Sequence, residues 1–378
     1  MDFSAIPQRE EIRAAVRGLC ERFPDTYWRE LDGRSEYPTE FVTALTAAGW
    51  LGALIPQRYG GAELGIADAA AILEEINASG GNAAAAHAQM YTMGSVLRHG
   101  SEEQKQRLLP GIARGEVRLQ AFGVTEPDAG SETTRIRTAA VKSGDRYIVN
   151  GQKVFISRAL HSDLMLLLAR TTPYDELDDE QREATRAGQI EIRPLETMMN
   201  HHSTTIFFRD LVIPMSDRIG DAGKGFRYIL DSWNAERILI ASESLGDGRW
   251  FVERGARYST GRVVFGRPIG ANQGVQFPIA QSHAQLAAAT LLRDKAAWLF
   301  DRSEKCGAEA NMAKLLASQA AWAAANACMD AHGGYGFARD YDIERKFRET
   351  RLLLTAPISN NLVLAYIGQH VLGMPRSY

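Results

Sequence analysis

Residues of the types that perform catalysis form few recognisable patterns in this sequence. His201 and His202 are adjacent, so their side chains point in different directions in any regular element and cannot share one metal ion as an i, i+4 pair would. The sequence contains no GxSxG nucleophile elbow, no GxxxxGK(S/T) phosphate loop and no GxGxxG motif between a strand and a helix. Neither a metal centre nor serine-nucleophile, P-loop or Rossmann chemistry is therefore indicated.

The three cysteines offer no redox or structural pairing either. Cys20, Cys306 and Cys328 are far apart in the sequence and form no CxxC pair. This spacing argues against a disulfide framework, a zinc site and a redox dithiol. We expect three buried thiols in a reducing compartment.

A glycine-rich segment, HGGYG at residues 332–336, follows one predicted helix and precedes another. By itself it favours a tight turn between helices, with residues at positive φ. The charged helix that follows is expected to stop at Ala356-Pro357, because proline has no backbone N–H and disfavours a helical residue before it.

The elements that must position these residues fall into three regimes of hydrophobic periodicity. Apolar residues recur at helical spacing from about residue 8 to 117 and again from about 222 onward, whereas short alternating β-branched runs occupy about 118–217. The order is therefore α, β, α, and we predict domains at residues 1–117, 118–221 and 222–378. An acidic polar run at residues 173–188 inside the β region favours a solvated loop.

Composition excludes several classes of partner. Hydrophobic residues make up 45% of the 378 residues, charged residues 24%, and the net charge is −3. Neither a nucleic-acid footprint nor a basic membrane-binding face is indicated, so a small-molecule substrate is the default partner. The N-terminus lacks an apolar signal region and no run of 18 uncharged apolar residues occurs. We expect no membrane association and a cytoplasmic location.

Five separated segments carry a more specific signal. They are GSEEQKQRLLP (100–110), FGVTEPDAGSETT (122–134), NGQKVFIS (150–157), GRVVFGRPIGANQGVQF (261–277) and HGGYGFARDYDIERKFRETR (332–351). In this order and at these separations, the sequence resembles the acyl-CoA dehydrogenase family over nearly the whole chain. The resemblance implies an α+β fold with an N-terminal helical domain, a middle β-domain and a C-terminal four-helix bundle. It also implies an FAD cofactor.

The resemblance assigns one set of flavin contacts to the β region. A flavin needs hydrogen-bond donors around N5 and its pyrimidine carbonyls, and an apolar wall against its ring. The family positions that supply them are here Phe122, Val124, Thr125, Gly130, Ser131, Phe155 and Ser157. Ser131 would also face the substrate.

A second set of implied flavin contacts lies in the C-terminal region, some of them reaching a flavin in a neighbouring subunit. These positions are Arg262, Phe265, Gln273, Asp330, Gly333, Gly334, Ser359 and Asn361. An arginine suits the adenosine diphosphate half because its guanidinium is a fixed charge with a planar donor fork, and the glycines would let backbone N–H groups approach the pyrophosphate. Asp330 stands where relatives usually carry glutamine. Because a carboxylate repels a pyrophosphate, we expect its side chain to turn away or to contact a donor.

The resemblance also locates the catalytic base. Aligned on the R-x-x-R of Arg348 and Arg351, the family's most common catalytic glutamate falls on Pro357, which cannot take a proton. A minority branch, which includes isovaleryl-CoA dehydrogenase, carries its base on the first helix of the C-terminal bundle, immediately before an arginine. The corresponding carboxylate is Glu236, with Arg237 beside it.

The residues around Glu236 bear on this assignment. The flanking residues Trp233, Ala235, Ile238 and Leu239 are too apolar for a fully exposed face, and burial would raise the pKa of the carboxyl towards neutrality. Trp233 and Arg237 are candidate substrate contacts with Ser131, and Glu243 is the nearest rival for the role of base.

The implied reaction is α,β-dehydrogenation of an acyl-CoA thioester to the trans-2-enoyl-CoA, with an electron-transferring flavoprotein as acceptor and a homodimer or homotetramer as the assembly. Two departures keep alternatives open. Pro357 removes a backbone donor to the thioester oxygen, and a hydrophobic strand found in relatives is missing from about 175–188. An acyl-CoA oxidase or another flavin-dependent acyl-CoA enzyme, and a catalytically impaired subunit of a hetero-oligomer, therefore remain alternative interpretations.

Overall fold

The structure is a computed structural model that describes residues 7–171 and 189–377. The chain forms two compact units, one of Met1–Leu54, Glu63–His87 and Asn234–Tyr378, the other of Ile55–Ala62 and Ala88–Trp233. We call them the helical unit and the sheet unit. The missing-strand interval and the acidic run at 173–188 lie outside the described residues. Among those that are described, no helix is long and apolar enough to cross a membrane.

The helical unit is built from amphipathic and alanine-rich helices. Its first helices are α1 (Pro7–Cys20), α2 (Asp25–Arg34), α3 (Thr39–Ala47) and α4 (Ile66–Ala78), and the helix α5 (Ala84–His99) begins in it. The C-terminal helices are α7 (Gly225–Gly261, from Asn234 onward in this unit), α8 (Gln273–Asp301), α9 (Gly307–His332), α10 (Ile343–Leu352) and α11 (Asn360–Tyr366). The long helices α7, α8 and α9 are those that the periodicity after residue 222 predicted.

Many of the buried side chains between the C-terminal helices are alanines. Ala313, Ala317 and Ala320 of α9 are buried in one cluster with Leu245 and Phe251 of α7. Such small side chains let helix backbones approach closely while large neighbours fill the remaining space. Gly246 marks another close approach, since a Cβ on this residue would lie 2.3 Å from the Glu74 carbonyl oxygen of α4. The crossing of α7 and α4 therefore depends on a residue without a side chain.

Buried charges tie the helical unit together. Arg293 of α8 donates to Glu74 of α4 at 2.7 Å, and Arg13 of α1 and Arg249 of α7 contact the same carboxylate at 3.0 and 2.9 Å. Glu74 and Arg293 are buried, and a buried charge is tolerated only when it is paired and hydrogen-bonded. This cluster holds four helices at one point.

The sheet unit contains most of α5, the helix α6 (Glu102–Arg114) and two sheets. A Ser101–Gln104 capping box starts α6. The larger sheet is antiparallel in the order β2 (Ala139–Ser143), β3 (Arg146–Ser157), β6 (Ser203–Pro214) and β5 (Ile190–Pro194), while β1 (Ala121–Gly123) and β4 (Met165–Leu167) form a separate parallel pair. Alternate residues of β3 and β6, such as Val149, Ile206 and Phe208, form its buried core.

The structure confirms the α, β, α order and differs from the periodicity in one detail. A short hairpin, β7 (Val263–Val264) and β8 (Arg267–Pro268), lies between α7 and α8 in the region predicted as helical. Its strands are exposed and only two residues long, which is too short for an alternating apolar pattern to be detected. The three cysteines are buried and free, as expected. The domain boundaries at 117/118 and 221/222 stay predictions.

Candidate active site

Glu236 lies on α7 and is buried, with 6% of its surface exposed. The neighbouring Ile238 and Leu239 are fully buried, so the apolar flanks turn this part of the helix into the core. Burial raises the pKa of Glu236 from its ordinary 4.5 to about 7; the charges of His87 and Arg237 oppose the rise and that of Glu243 adds to it. Within the described part of the chain, Oε2 of this carboxyl has no hydrogen-bond partner. The side chain can therefore exchange a proton near neutral pH.

Glu243 lies two helical turns beyond Glu236 on α7 and is also buried. Its Oε1 is 2.6 Å from Nδ1 of the buried His87, near the start of α5. Oε1 of Glu243, like Oε2 of Glu236, accepts no hydrogen bond from the residues described, so the two candidate carboxylates differ in that Glu243 lies beside a histidine. Sequence reasoning missed His87, although a single histidine in the alanine-rich stretch AAAHAQ was a visible signal.

Arg237 is buried beside Glu236 and donates from Nη1 to Asn234 Oδ1 at 3.1 Å. Burial lowers the pKa of its guanidinium, whereas the charges of Glu236, Tyr366 and Cys306 favour the protonated form. A substrate contact by Arg237 stays a prediction. Its position next to the candidate base is nevertheless set by the same buried helix face.

Lys314 of α9 anchors the segment that contains Pro357. Its Nζ donates to the Ile358 carbonyl oxygen at 2.8 Å and to Asn360 Oδ1 at 2.7 Å, and its side chain is fully buried. Burial lowers the pKa of this amine to about 7, and the charge of Arg237 acts in the same direction. Pro357 is exposed and carries no ionisable group. Sequence reasoning missed Lys314, a lysine in the middle of an alanine-rich helix.

In the sheet unit, a buried ion pair holds the segment around Thr125-Glu126-Pro127, called the TEP segment, against β3. Lys153 Nζ donates to the Val124 carbonyl oxygen at 2.9 Å and to Glu126 Oε1 at 2.7 Å. The Val154 N–H donates to the Thr125 carbonyl oxygen at 2.9 Å. These bonds bring two of the predicted flavin segments, residues 122–131 and 155–157, next to each other. Lys153 and Glu126 were not predicted as site residues.

Other predicted residues of the sheet unit differ in exposure. Phe122 and Val124 are half-buried and pack with Trp233 on a small apolar cluster of Ala129, Ile136, Leu168 and Ile229. Gly130 and Ser131 are exposed, and Ser157 is half-buried opposite Ser203 of β6. Phe155 has positive φ (58°) and exposes 64% of its surface, which is unusual for an aromatic residue inside a strand. An exposed aromatic ring in this position has the properties of the apolar wall that a flavin ring requires.

In the helical unit, the hairpin between α7 and α8 presents three predicted contacts. Arg262 and Gln273 are exposed at the two ends of the hairpin, and Phe265 in its turn is fully exposed with a φ of 52°. None of the described residues buries the Phe265 ring. Such a combination of a fixed cation and an aromatic ring is suited to a ligand that approaches from outside.

The glycine turn after α9 is open. Gly333 has a φ of 53°, and a Cβ on either Gly333 or Gly334 would have no described heavy atom within 4 Å. The Gly333 N–H caps α9 by donating to the Asp330 carbonyl oxygen, and the Asp330 side chain is exposed on the last turn. Ser359 caps α11 by accepting from the Leu362 N–H at 3.4 Å, and Asn361 is exposed in its first turn. The turn prediction is confirmed, and the open backbone fits a pyrophosphate.

These features fit FAD in each unit taken separately. The sheet unit offers an exposed aromatic ring beside a hydroxyl and a hydrogen-bonded loop, and the helical unit offers an open glycine turn and an exposed arginine. No group of three or more histidine, cysteine, aspartate or glutamate side chains suited to a metal ion occurs among residues 7–171 and 189–377. His202 instead lies 3.3 Å from the ring of His161, between Nδ1 and Nε2.

Comparison with known proteins identifies the family. Profiles described as acyl-CoA dehydrogenase N-terminal, middle and C-terminal domains match residues 7–116, 121–211 and 223–370. The acyl-CoA dehydrogenase FadE12 of Mycobacterium tuberculosis is 32% identical over 98% of this chain and 97% of its own length. The chain belongs to the acyl-CoA dehydrogenase family. It is therefore a flavin-dependent oxidoreductase, and its cofactor is FAD.

Two solved structures show the same fold. Butyryl-CoA dehydrogenase from Megasphaera elsdenii superposes with a TM-score of 0.89 at 26% identity, covering 98% of this chain and all of its own. A chain in a structure described as the electron transferring flavoprotein of Acidaminococcus fermentans superposes with a TM-score of 0.90 at 27% identity. The match covers 98% of this chain and all of that one. The helical N-terminal, β middle and helical C-terminal regions of this acyl-CoA dehydrogenase family member are thus the fold of its relatives.

Proposed function

We propose that this protein is an acyl-CoA dehydrogenase that converts an acyl-CoA thioester to the trans-2-enoyl-CoA, with Glu236 as the α-proton base. The observation that carries the proposal is the state of Glu236: it is buried, its pKa is about 7, and Oε2 accepts no hydrogen bond from any described residue. A general base works best when its pKa lies near the operating pH.

The proposed step needs a base and a water-free environment from the chain, and a hydride acceptor from the cofactor. Ionised Glu236 takes the α-proton at Oε2, and the pair of electrons left on the α-carbon forms the new double bond as the β-hydrogen leaves with its electrons. When bound, FAD supplies the acceptor for that hydride. The buried surroundings of Glu236 exclude water, so that the carboxylate is not stabilised by hydration and remains a stronger base.

The surroundings of the two rival carboxylates favour Glu236 over Glu243. Glu243 Oε1 lies 2.6 Å from His87 Nδ1, so this oxygen faces a group that forms an ion pair with it whenever His87 is protonated. Pro357, at the position of the family's most common base, has no group that takes a proton. This distribution supports the branch of the family that carries its base on the first C-terminal helix.

We further propose that the predicted residues around FAD act as follows. Phe122, Val124, Thr125, Gly130, Ser131, Phe155 and Ser157 hold the ring region, whereas Arg262, Phe265, Gln273, Gly333, Gly334, Ser359 and Asn361 serve the ribityl and adenosine diphosphate regions, with Asp330 turned away from the phosphates. The full exposure of Phe265 and the exposure of Arg262 and Gln273 support a role towards a second subunit, and hence a homodimer or homotetramer.

The substrate and the electron acceptor remain part of the proposal. We favour short or branched acyl groups, because Trp233 precedes Glu236 by about one helical turn and its ring could close an acyl cavity. Ser131 and Arg237 are the other proposed substrate contacts. An electron-transferring flavoprotein is the proposed acceptor, supported by the structural similarity to the chain from the Acidaminococcus fermentans study.

The decisive experiment measures anaerobic flavin reduction in Glu236→Gln by rapid mixing with acyl-CoAs. Glutamine keeps the shape of the side chain but cannot take a proton, so the limiting rate should fall by about 10²–10⁴-fold while acyl-CoA binding survives. Glu253→Gln is the matched control, because Glu253 is an exposed carboxylate on the same helix. If Glu243→Gln abolishes reduction and Glu236→Gln leaves it intact, Glu236 is not the base.

The same material separates the alternative interpretations. A catalytically impaired subunit would show no flavin bleaching with any acyl-CoA. An oxidase would bleach and then reoxidise rapidly in air, whereas the proposed dehydrogenase should reoxidise slowly in air and fast with an electron-transferring flavoprotein.

A further inference from the structure

The candidate base belongs to a group of three buried ionisable side chains outside the flavin-binding segments. Glu236 and Glu243 are seven residues apart on α7, which places them on one face, about 10 Å apart along the helix axis. His87 approaches that face from α5 and contacts Glu243 between Nδ1 and Oε1 at 2.6 Å. All three side chains are buried. This contact is an ion pair only when His87 is protonated.

The charges in this cluster balance only when His87 is protonated. The charged groups that act on Glu236 are His87 on α5 and Arg237 and Glu243 on α7. When both carboxylates are ionised they carry two negative charges, and Arg237 supplies one positive charge. A protonated His87 would supply the second positive charge. The charge of Arg237 lowers the pKa of Lys314 on α9, but Lys314 is not among the groups that shift the pKa of Glu236.

A buried carboxylate with an uncompensated negative neighbour is costly. Two like charges that share a low-dielectric site drive one of them to take a proton, and an opposite charge nearby reverses this. Of the charges around Glu236, that of His87 makes the largest contribution against the effect of burial, and Glu243 is the neighbour that favours protonation. The histidine therefore acts twice, by its own charge on Glu236 and by neutralising Glu243.

We propose that His87 and Glu243 form a positioning pair that keeps Glu236 ionised, and hence able to abstract a proton, at neutral pH. The inference rests on the proposed function, in which Glu236 is the base. His87 touches neither the flavin nor the reacting carbons in this scheme and acts only through the carboxylates. Removing it should change the pH at which the base works, not the chemistry once the base is ionised.

The test is the pH profile of anaerobic flavin reduction in the FAD-loaded protein, measured with one acyl-CoA from about pH 5.5 to 9.5. In His87→Gln the rising limb of the profile should move to higher pH by about one unit, since an adjacent opposite charge typically lowers a carboxyl pKa by 1–3 units. The plateau rate at high pH should be largely kept. His283→Gln is the matched control, because His283 is an exposed histidine on α8.

A double variant separates this electrostatic role from a packing defect. In His87→Gln the carboxylate of Glu243 is left without its partner; adding Glu243→Gln removes that negative charge and should move the rising limb back towards lower pH. A defect in packing would instead worsen with the second substitution. An unchanged limb in His87→Gln, or no return in the double variant, would overturn the inference.

Stability gives a readout that does not depend on flavin chemistry. The difference in unfolding free energy between His87→Gln and His87→Gln/Glu236→Gln, followed against pH, reports the protonation of Glu236 directly. The pH midpoint of this difference should lie higher than the midpoint measured between wild type and Glu236→Gln, in which His87 is intact. If Glu236→Gln retains the wild-type rate of flavin reduction, the proposed function is wrong. If Glu236→Gln is inactive but the pH midpoint is the same with and without His87→Gln, only the positioning pair is wrong.

Discussion

Glu236→Gln should make the protein more stable at alkaline pH, and the size of the effect follows from the burial of the carboxyl. The pKa of Glu236 rises from 4.5 to about 7 on burial. The native state therefore keeps a proton that the unfolded chain has already released between these values. The stability associated with the neutral acid is complete below pH 4.5 and is lost as the pH rises towards 7.

The magnitude can be worked from that shift. A difference of about 2.5 pKa units, at roughly 1.4 kcal/mol per unit, costs the native wild type about 3 kcal/mol once the acid is ionised in both states. Glutamine carries no charge at any pH. The advantage of Glu236→Gln over the wild type should therefore grow by about 2–3 kcal/mol between pH 5 and pH 8.5.

Denaturant unfolding at saturating FAD, at a series of pH values, measures this difference. Glu253→Gln is the control, since it removes an exposed carboxylate from the same helix and should show no comparable growth with pH. A constant difference between wild type and Glu236→Gln from pH 5 to 8.5 would refute the reasoning, because it would mean that burial does not hold a proton on this carboxyl. The base would then have to be sought elsewhere.

Three further predictions test other parts of the proposal. Arg262→Ala should purify with much less FAD than the wild type at nearly unchanged thermal stability, and full flavin occupancy would contradict the role of Arg262 towards a neighbouring subunit. Flavin bleaching should be fastest with short or branched acyl-CoAs, and equal rates from four to sixteen carbons would contradict a cavity closed by Trp233. Gly246→Ala should destabilise the helical unit by roughly 1–3 kcal/mol, because the added Cβ would meet the Glu74 carbonyl oxygen at 2.3 Å, whereas Gly261→Ala at the exposed end of α7 meets no described atom within 4 Å and serves as its control.

Residues that sequence reasoning missed share one property: their role depends on a partner distant in the chain. Lys153 and Glu126 lie 27 positions apart and meet at 2.7 Å in the sheet unit. Lys314 reaches the Ile358 carbonyl oxygen across 44 positions. Hydrophobic periodicity assigns charged residues to the exposed face of an element. A single lysine in an apolar segment is therefore predicted to be exposed even where it is buried. The acceptors that make its burial tolerable come from elsewhere.

The sequence alone determined the order of helical and β regions, because periods of 3.6 and 2 are local properties of the backbone. It also determined the family, through five motifs in order, and excluded the usual base, since the proline at position 357 cannot take a proton in any fold. The resemblance to the family singled out Glu236 as a candidate base, and its apolar flanks favoured a buried position.

Tertiary structure alone decided how Glu236 and Glu243 differ. Both are glutamates on one face of one helix, and the sequence does not show which charged groups surround each of them. Only packing brings His87 from α5 to within 2.6 Å of Glu243, whereas neither Oε1 of Glu243 nor Oε2 of Glu236 accepts a hydrogen bond from the described residues. The reason is physical: the pKa of a carboxyl depends on desolvation and on charges within a few ångströms, and those neighbours come from segments that are about 150 residues apart in the sequence.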